Sequence, residues 1–511
     1  MMIYKTNTCA LYGIEGHVIE VETDLSNGLP GFDIVGLPDA AVRESRERVR
    51  SAIKNSGFLF PQKRITVNLA PADIRKEGSV FDLAIASGIL RASMYILNES
   101  LEGFAFLGEL SLNGSVKGIK GVLPMCLSLK EKGLKKLILA RDNADEAALV
   151  NGMEIFPVES ITEMVDFLNG NKGITPHKVD LEAIIRSDTA EIYDFAEVRG
   201  QNTAKRALEI AAAGAHNVLM LGPPGSGKTM LARRLPSILP DMSFEESLEV
   251  TKIYSIAGLL KDRLYLVTRR PFRAPHHTMS ARSLIGGGRV PHPGEVSLAH
   301  YGVLFLDEMP EFQKNVLEVL RQPLEDECVT ISRVGGTITY PAKIMLICSI
   351  NPCPCGYYGD ESGRCNCSPN QIKSYLGRIS GPLMDRIDLH IEVPSVKFDD
   401  LSCSPKEESS AAMKKRINRA RQLQLERYED EGIFFNSQLK PRHMTAYCSI
   451  GRKEKELLRN AFDRFNLSAR AYNRILKVAR TIADLEESDG IRIDHIAEAI
   501  QYRSLDRKYA L

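Results

Sequence analysis

The sequence predicts a multidomain α/β protein: an N-terminal α+β domain, a central α/β domain with a parallel sheet, and a helical C-terminal domain. Three features predict it. The first 170 residues alternate period-2 apolar strands with charged helical stretches. From about residue 190 a strand, a glycine-rich loop, a helix and further apolar strands follow one another. From Ala411 the chain is helically periodic.

In the first region, His17-Val18-Ile19-Glu20-Val21-Glu22-Thr23 and Arg64-Ile65-Thr66-Val67-Asn68-Leu69 alternate as strands, and Ala40 to Ser56 reads as an amphipathic helix. Gly170 to Pro176 gathers turn residues and reads as a linker, bounding a domain over 1–170. The central domain is expected over 190–397, and the serine-rich, acidic stretch Asp399 to Ser410 reads as a second linker. Helices are expected at Lys453 to Phe465, Ala469 to Ala483 and His495 to Tyr502, within a last domain over 411–511. A chain of 511 residues is too long for one core, which agrees with three domains.

Hydrophobic residues make up 44% and charged residues 26%, with a net charge of +1, a composition that excludes disordered and fibrous classes. Runs such as Asn217 to Leu221 and Gly302 to Leu306 fall short of the roughly 20 apolar residues that cross a bilayer, so no transmembrane span is expected. The start, Met1 to Asn7, lacks the pattern of a secretory signal, and a cytoplasmic location is expected. Basic residues outnumber acidic ones from Ala411 onward, an excess that either faces a polyanion or covers solvated helix faces. Ten cysteines, four of them between Cys353 and Cys367, point in a reducing compartment to thiols or a metal site rather than disulfides.

Gly222-Pro223-Pro224-Gly225-Ser226-Gly227-Lys228-Thr229 fits G-x-x-x-x-G-K-[ST] between an apolar strand and a helix. Glycines there let backbone N–H groups turn onto phosphates; Lys228 is expected to reach the β- and γ-phosphates of ATP, and the Thr229 hydroxyl to ligate Mg²⁺. The run Val303-Leu304-Phe305-Leu306 ends in Asp307-Glu308, which assigns Asp307 to Mg²⁺ and Glu308 to polarising the attacking water. A third apolar strand, Lys343 to Ile350, ends in Asn351, whose amide would orient the water or the γ-phosphate.

This order resembles an AAA+ ATPase. Pro271-Phe272-Arg273-Ala274-Pro275-His276-His277-Thr278, Gly286-Gly287-Gly288 and Pro293 to His300 are similar to the magnesium-chelatase-like branch. Within it, Gly31-Phe32-Asp33-Ile34-Val35-Gly36-Leu37-Pro38 and Ala479 to Leu485 resemble the ComM (YifB) family over almost the whole chain. The resemblance implies a homohexamer with ATP sites between subunits, Arg386 entering the neighbour's site, and Arg470 as the sensor of a C-terminal helical lid. It implies a DNA motor of helicase or branch-migration type, acting on single-stranded or branched DNA in recombination and natural transformation. The alternative it leaves is the motor subunit of a metal-insertion complex. Cys328 to Thr339 reads as two strands about a Gly-Gly turn; it resembles a pore hairpin, with Arg333 as a candidate phosphate contact.

The N-terminal domain resembles the Lon-protease type, with a ribosomal S5 domain 2-like fold. Aligned on Lys76-Glu77-Gly78, however, Val80 stands where that family has its nucleophilic serine, which leaves Ser79 displaced and Lys120 nothing to activate, so a non-proteolytic domain is expected. Cys353, Cys355, Cys365 and Cys367 read as a candidate Zn²⁺ site, with reduced thiols or a redox pair as alternatives. His276 and His277, read as neighbours in an extended strand, are expected to point to opposite faces and so not to share a metal.

Overall fold

The computed structural model describes residues 3–97, 101, 103–181, 193–260, 265–288, 291–333, 336–360, 363–395, 407–429, 431–465 and 468–503, with Arg333 and Phe465 described by backbone alone. The chain gathers into two compact units, Met1–Asp188 with Ser247–Val267, and Thr189–Glu246 with Thr268–Leu511. No helix among the described residues is long and apolar enough to cross a membrane.

In the first unit, β1 (Tyr4–Tyr12), β2 (Glu15–Ser26), β3 (Gly31–Val35), β4 (Arg64–Ala70), β5 (Phe104–Leu107), β6 (Lys136–Ala140) and β7 (Glu154–Val158) form one sheet in the order β3-β4-β2-β1-β5-β6-β7. The two strands expected from alternation lie inside β2 and β4, which pair antiparallel from Glu20↔Ala70 to Ser26↔Arg64. Their inward residues Val21, Ile65, Val67 and Leu69 are fully buried. The expected helix is α1 (Ala40–Asn55), begun by Asp39, whose carboxylate accepts from the Val42 N–H at 2.8 Å. A second helix, α2 (Asp82–Ala92), is buried over almost its whole length. Its buried Asp82 accepts from Arg48 Nε at 2.8 Å, from the Ser45 hydroxyl, and from the Leu110 N–H at 3.3 Å. The segment Ser247–Val267 belongs to this unit through Ser255, whose hydroxyl donates to the buried Glu146 carboxylate.

The second unit is built on five parallel strands: β8 (Val218–Leu221), β9 (Phe272–Arg273), β10 (Val303–Leu306), β13 (Met345–Ile350) and β14 (Leu389–Glu392), in the order β9-β10-β13-β8-β14. Every residue of β8, β10 and β13 is buried, as continuous apolar runs require when both faces are covered. Between β10 and β13 runs an antiparallel hairpin, β11 (Cys328–Arg333) with β12 (Gly336–Pro341), paired from Cys328↔Pro341 to Arg333↔Gly336. Its turn residues 334 and 335 and the Arg333 side chain lie outside the described residues.

Helices α3 (Asn202–Gly214) and α4 (Lys228–Arg234) flank the sheet, and α5 (Ser410–Arg427), α6 (Arg452–Phe465), α7 (Ala469–Leu485) and α8 (Ile493–Gln501) follow it. The last three match the expected helices to within two residues at each end. Helix α5 starts where the second linker was expected to end; residues 399–406 of that linker lie outside the described residues. One core runs from the sheet into these helices, through Leu208, Leu231, Phe305, Ile417, Ile475 and Ile482.

Buried polar groups fix where the helices dock. His216 Nδ1 lies 3.1 Å from Asp388 Oδ2, and its Nε2 lies 2.8 Å from the Thr481 hydroxyl of α7. Arg474 and Arg503 donate to the Ile387 carbonyl at 3.1 and 3.0 Å. Residues 216 and 387–388 immediately precede β8 and β14, so α7 is anchored at the amino end of the parallel sheet. Burial pushes the Asp388 carboxyl up, but His216 and Arg474 outweigh it and hold the group well below the usual carboxylate range.

A carboxyl depressed in the folded state contributes stability above its unfolded value, near 4, and loses it as pH falls through the folded value. Asp388→Asn is therefore expected to cost about 3 kcal/mol at neutral pH. In melting curves the deficit should persist unchanged down to about pH 4 and close only in more acidic solution.

Candidate functional site

The three buried strands end together. At the carboxyl end of β8 the chain turns through Gly222 to Gly227 into α4. A Cβ on Gly222 would stand 2.1 Å from the Val393 carbonyl oxygen, so only glycine fits, and Gly227 takes φ +92°, a left-handed conformation open to glycine. Lys228, 8% exposed, donates to the Gly222 and Pro223 carbonyls at 2.8 and 2.9 Å and to Asn351 Oδ1 at 3.2 Å. Burial pulls its ammonium down to about 8, against the opposing pull of Asp307 and Glu308. The next residue, Thr229, donates its hydroxyl to Asp307 Oδ2 at 2.8 Å.

Asp307 and Glu308 follow β10, and Asn351 follows β13. Ser349, fully buried on β13, donates to Asp307 Oδ1 and accepts from the Glu308 N–H at 3.0 Å. It thereby fixes the turn in which Glu308 adopts φ +51° with its side chain exposed. Sequence reasoning missed Ser349; the available signal was a hydroxyl in the otherwise apolar run of β13. It also missed Gln201, whose amide donates to the Pro394 carbonyl at 2.7 Å and to the Ser226 carbonyl at 3.4 Å, tying the glycine-rich loop to the end of the sheet. The structure thus brings together Lys228, Thr229, Asp307, Glu308 and Asn351 beside one glycine-rich loop. This arrangement can bind a triphosphate and a hard divalent cation.

Arg386 and Arg470 are elsewhere. Asn217, the residue before β8, donates to the Arg386 carbonyl at 2.9 Å, which puts Arg386 at the amino end of the sheet. Its guanidinium is held by the Glu325 carboxylate and the Pro382 carbonyl, and its buried Nε has no acceptor among the described residues. Arg470, largely exposed, lies 3.7 Å from Asp385. Arg386, Arg474, Lys477 and Glu325 line a cavity of about 220 Å³ at this end.

The hairpin buries one face, through Val329, Ile331, Ile338 and Tyr340, and exposes hydroxyl pairs on the other, Thr330 with Thr339 at 3.3 Å and Ser332 with Thr337 at 3.1 Å. Cys353, Cys355, Cys365 and Cys367 are free thiols whose sulfurs all lie within 4.8 Å of one another, with separations of 3.2 to 3.8 Å among the first three. A tetrahedron of Zn–S bonds near 2.3 Å has edges of about 3.8 Å, so the donor set fits zinc. The histidine expectation is corrected. His276 and His277 lie in a turn closed by the Met279 N–H on the His276 carbonyl at 3.0 Å, not in a strand, and their rings lie side by side, tilted by 33° with centroids 4.1 Å apart. In the first unit the Ser79 hydroxyl is bonded to Glu109, Val80 is buried, and the Lys120 ammonium packs over Gly258, so no serine–lysine pair forms among the described residues.

Burial lowers the Lys228 ammonium to about 8 in the free protein; if Lys228 holds phosphates as the sequence leads one to expect, it must carry its charge there, and binding above that pH takes up a proton. Nucleotide dissociation constants, measured by calorimetry, should be flat below pH 8 and rise by up to about tenfold per unit above it, a slope that Lys228→Ala abolishes along with most of the affinity.

Three family models match: "Magnesium chelatase, subunit ChlI" over residues 194–401, "Subunit ChlI of Mg-chelatase" over 21–143, and "Magnesium chelatase, subunit ChlI C-terminal" over 407–503. The chain is 44% identical to Competence protein ComM of Haemophilus influenzae, over 98% of this chain and 97% of that protein. It is 42% identical to YifB of Escherichia coli, over 99% and 98%. It is 29% identical to Lon protease 2 of Bacillus subtilis over 32% of this chain and 31% of that one, a partial likeness. Near-complete coverage by these relatives, joined to a glycine-rich loop, an Asp-Glu strand end and a strand-end asparagine assembled on one parallel sheet, means that the chain belongs to the ComM/YifB family of magnesium-chelatase-like AAA+ proteins.

Proposed function

We propose that this protein is an ATP-hydrolysing DNA motor of helicase or branch-migration type, working as a cytoplasmic homohexamer in recombination and natural transformation. The observation that carries the ring is the separation of the site's halves. Phosphate-binding groups stand at one end of the parallel strands, and Arg386 and Arg470 stand at the other, a strand length of roughly 13 Å away. In this reading the two groups meet at one phosphate across a subunit boundary. A neighbour presenting its amino end completes the site.

In this reading Lys228 leaves the Gly222 and Pro223 carbonyls for the β- and γ-phosphates, while Thr229 and Asp307 hold Mg²⁺, which neutralises phosphate charge. Glu308 draws the proton from the attacking water, Asn351 orients that water, and the neighbour's Arg386 and Arg470 balance the charge that develops on the γ-phosphate. The organisation is a non-proteolytic Lon-like domain over 1–170, the ATPase over 190–397 and a helical lid over 411–511. The hairpin faces single-stranded or branched DNA through Arg333, and the four cysteines hold a structural zinc. The printed name of the relative at 44% identity, a competence protein, supports the DNA reading. A metal-insertion motor is the second reading, favoured by the magnesium-chelatase models.

DNA separates the two. On single-stranded, duplex and branched DNA at low salt, ATP hydrolysis should rise several-fold, and Arg333→Ala should reduce that stimulation while leaving the basal rate intact; its salt slope should be shallower by about one contact. A basal rate indifferent to every DNA form would move the assignment to the metal-insertion motor.

The shared site has its own test. Arg386→Ala and Lys228→Ala chains, each inactive alone, should recover measurable hydrolysis when mixed, because some interfaces then pair an intact loop with an intact arginine. Arg386→Lys should recover little, since an ammonium lacks the guanidinium fork.

A further inference from the structure

The loop between Asn351 and Ser368 has no helix or strand among its described residues, and its buried members include Pro352, Cys353 and Gly356. Those residues touch the nucleotide site at two points. Asn351, two residues before Cys353, accepts from Lys228. Gly356, one residue after Cys355, closes a turn by donating to the Cys353 carbonyl at 2.9 Å and takes φ +86°. A Cβ built on Gly356 would stand 2.4 and 2.6 Å from Cδ and Cγ of Pro224 in the phosphate loop. The phosphate loop is therefore walled on two sides, by the Val393 carbonyl against Gly222 and by the cysteine loop's backbone against Pro224.

Resting on the zinc reading, we infer that the four-cysteine centre is a buttress of the phosphate loop: a tetrahedral divalent metal on Cys353, Cys355, Cys365 and Cys367 holds Gly356 against Pro224, so that metal occupancy sets nucleotide affinity. None of the four thiolates needs to reach the nucleotide. A segment with so little core of its own is ordered by metal–thiolate bonds, and the free energy of metal binding is then the free energy that holds the wall in place. Gly356 has its φ positive and its Cβ direction blocked by the phosphate loop; Gly363 on the same segment has φ +64° and open space around it, which makes it a matched control.

The test uses the full-length protein prepared without chelator, with zinc content by elemental analysis, folding by circular dichroism, and affinity for a non-hydrolysable ATP analogue as readouts. Wild type should carry about one zinc per chain. Chelation, or Cys365→Ser with Cys367→Ser, should remove the metal and weaken nucleotide binding about tenfold. Gly356→Ala should keep its zinc yet lose a similar factor, while Gly363→Ala should keep both zinc and affinity. Absence of zinc from the wild-type protein would overturn the zinc reading and the buttress with it. Zinc present, with wild-type affinity retained both in Gly356→Ala and after chelation, would overturn the buttress alone. If Gly356→Ala does not fold, the chelated wild-type protein decides between these outcomes.

Discussion

The second unit depends on one constraint, the parallel register of three fully buried strands. Parallel pairing of β8 with β13 and of β13 with β10 brings three carboxyl ends side by side. Lys228, Asp307 and Asn351, far apart in the chain, become hydrogen-bonding neighbours or share a neighbour. The same register sends Asn217, Arg386 and Asp388 to the opposite end, where the last helices dock. An antiparallel sheet would have scattered both groups. The separation of Lys228, Asp307 and Asn351 from Arg386 and Asp388 follows from the direction of these parallel strands.

Within that frame the polar groups are placed in low-dielectric surroundings where each contact counts for more. Lys228 is held by two carbonyls and an amide oxygen with two carboxylates near enough to oppose its desolvation. Ser349 does two tasks with one hydroxyl, donating to Asp307 and accepting from the Glu308 N–H, so that the two acidic residues keep a fixed relation while Glu308 remains exposed. At the other end Asp388 is the hub, meeting His216 at 3.1 Å and Arg474 at 3.6 Å. Such networks cost less than their isolated charges because every member finds a partner.

The first unit lacks, among its described residues, the pair of groups that a Lon-type protease requires. Where a Lon-type protease needs a serine beside a lysine, this chain has a buried valine, a serine turned to Glu109 and a lysine packed over Gly258. The unit's stability rests on the alternating faces of β2 and β4 and on Asp82, whose hydrogen bonds from Arg48, Ser45 and the Leu110 N–H tie α2 to α1 and to Leu110.

What the sequence by itself determined was everything carried by local pattern. Period-2 alternation identified β2 and β4, apolar runs closed by an acid or an amide identified β10 and β13, and the glycine spacing of 222–229 identified a tight strand-to-helix turn, because its left-handed positions and its close approach to Val393 admit little else. Helices α6, α7 and α8 were legible for the same reason, as periodicity is local. What only the tertiary structure decided was everything set by distant neighbours. Ser349 gains its place from β10, Gln201 from Ser226 and Pro394, and Gly356 from Pro224, pairings that no spacing encodes. The neighbouring histidines were misread because a turn held by one backbone hydrogen bond leaves no periodic trace. The acceptors of the Arg386 guanidinium, Glu325 and the Pro382 carbonyl, and the approach of Arg470 to Asp385 were likewise set by packing that no local spacing records.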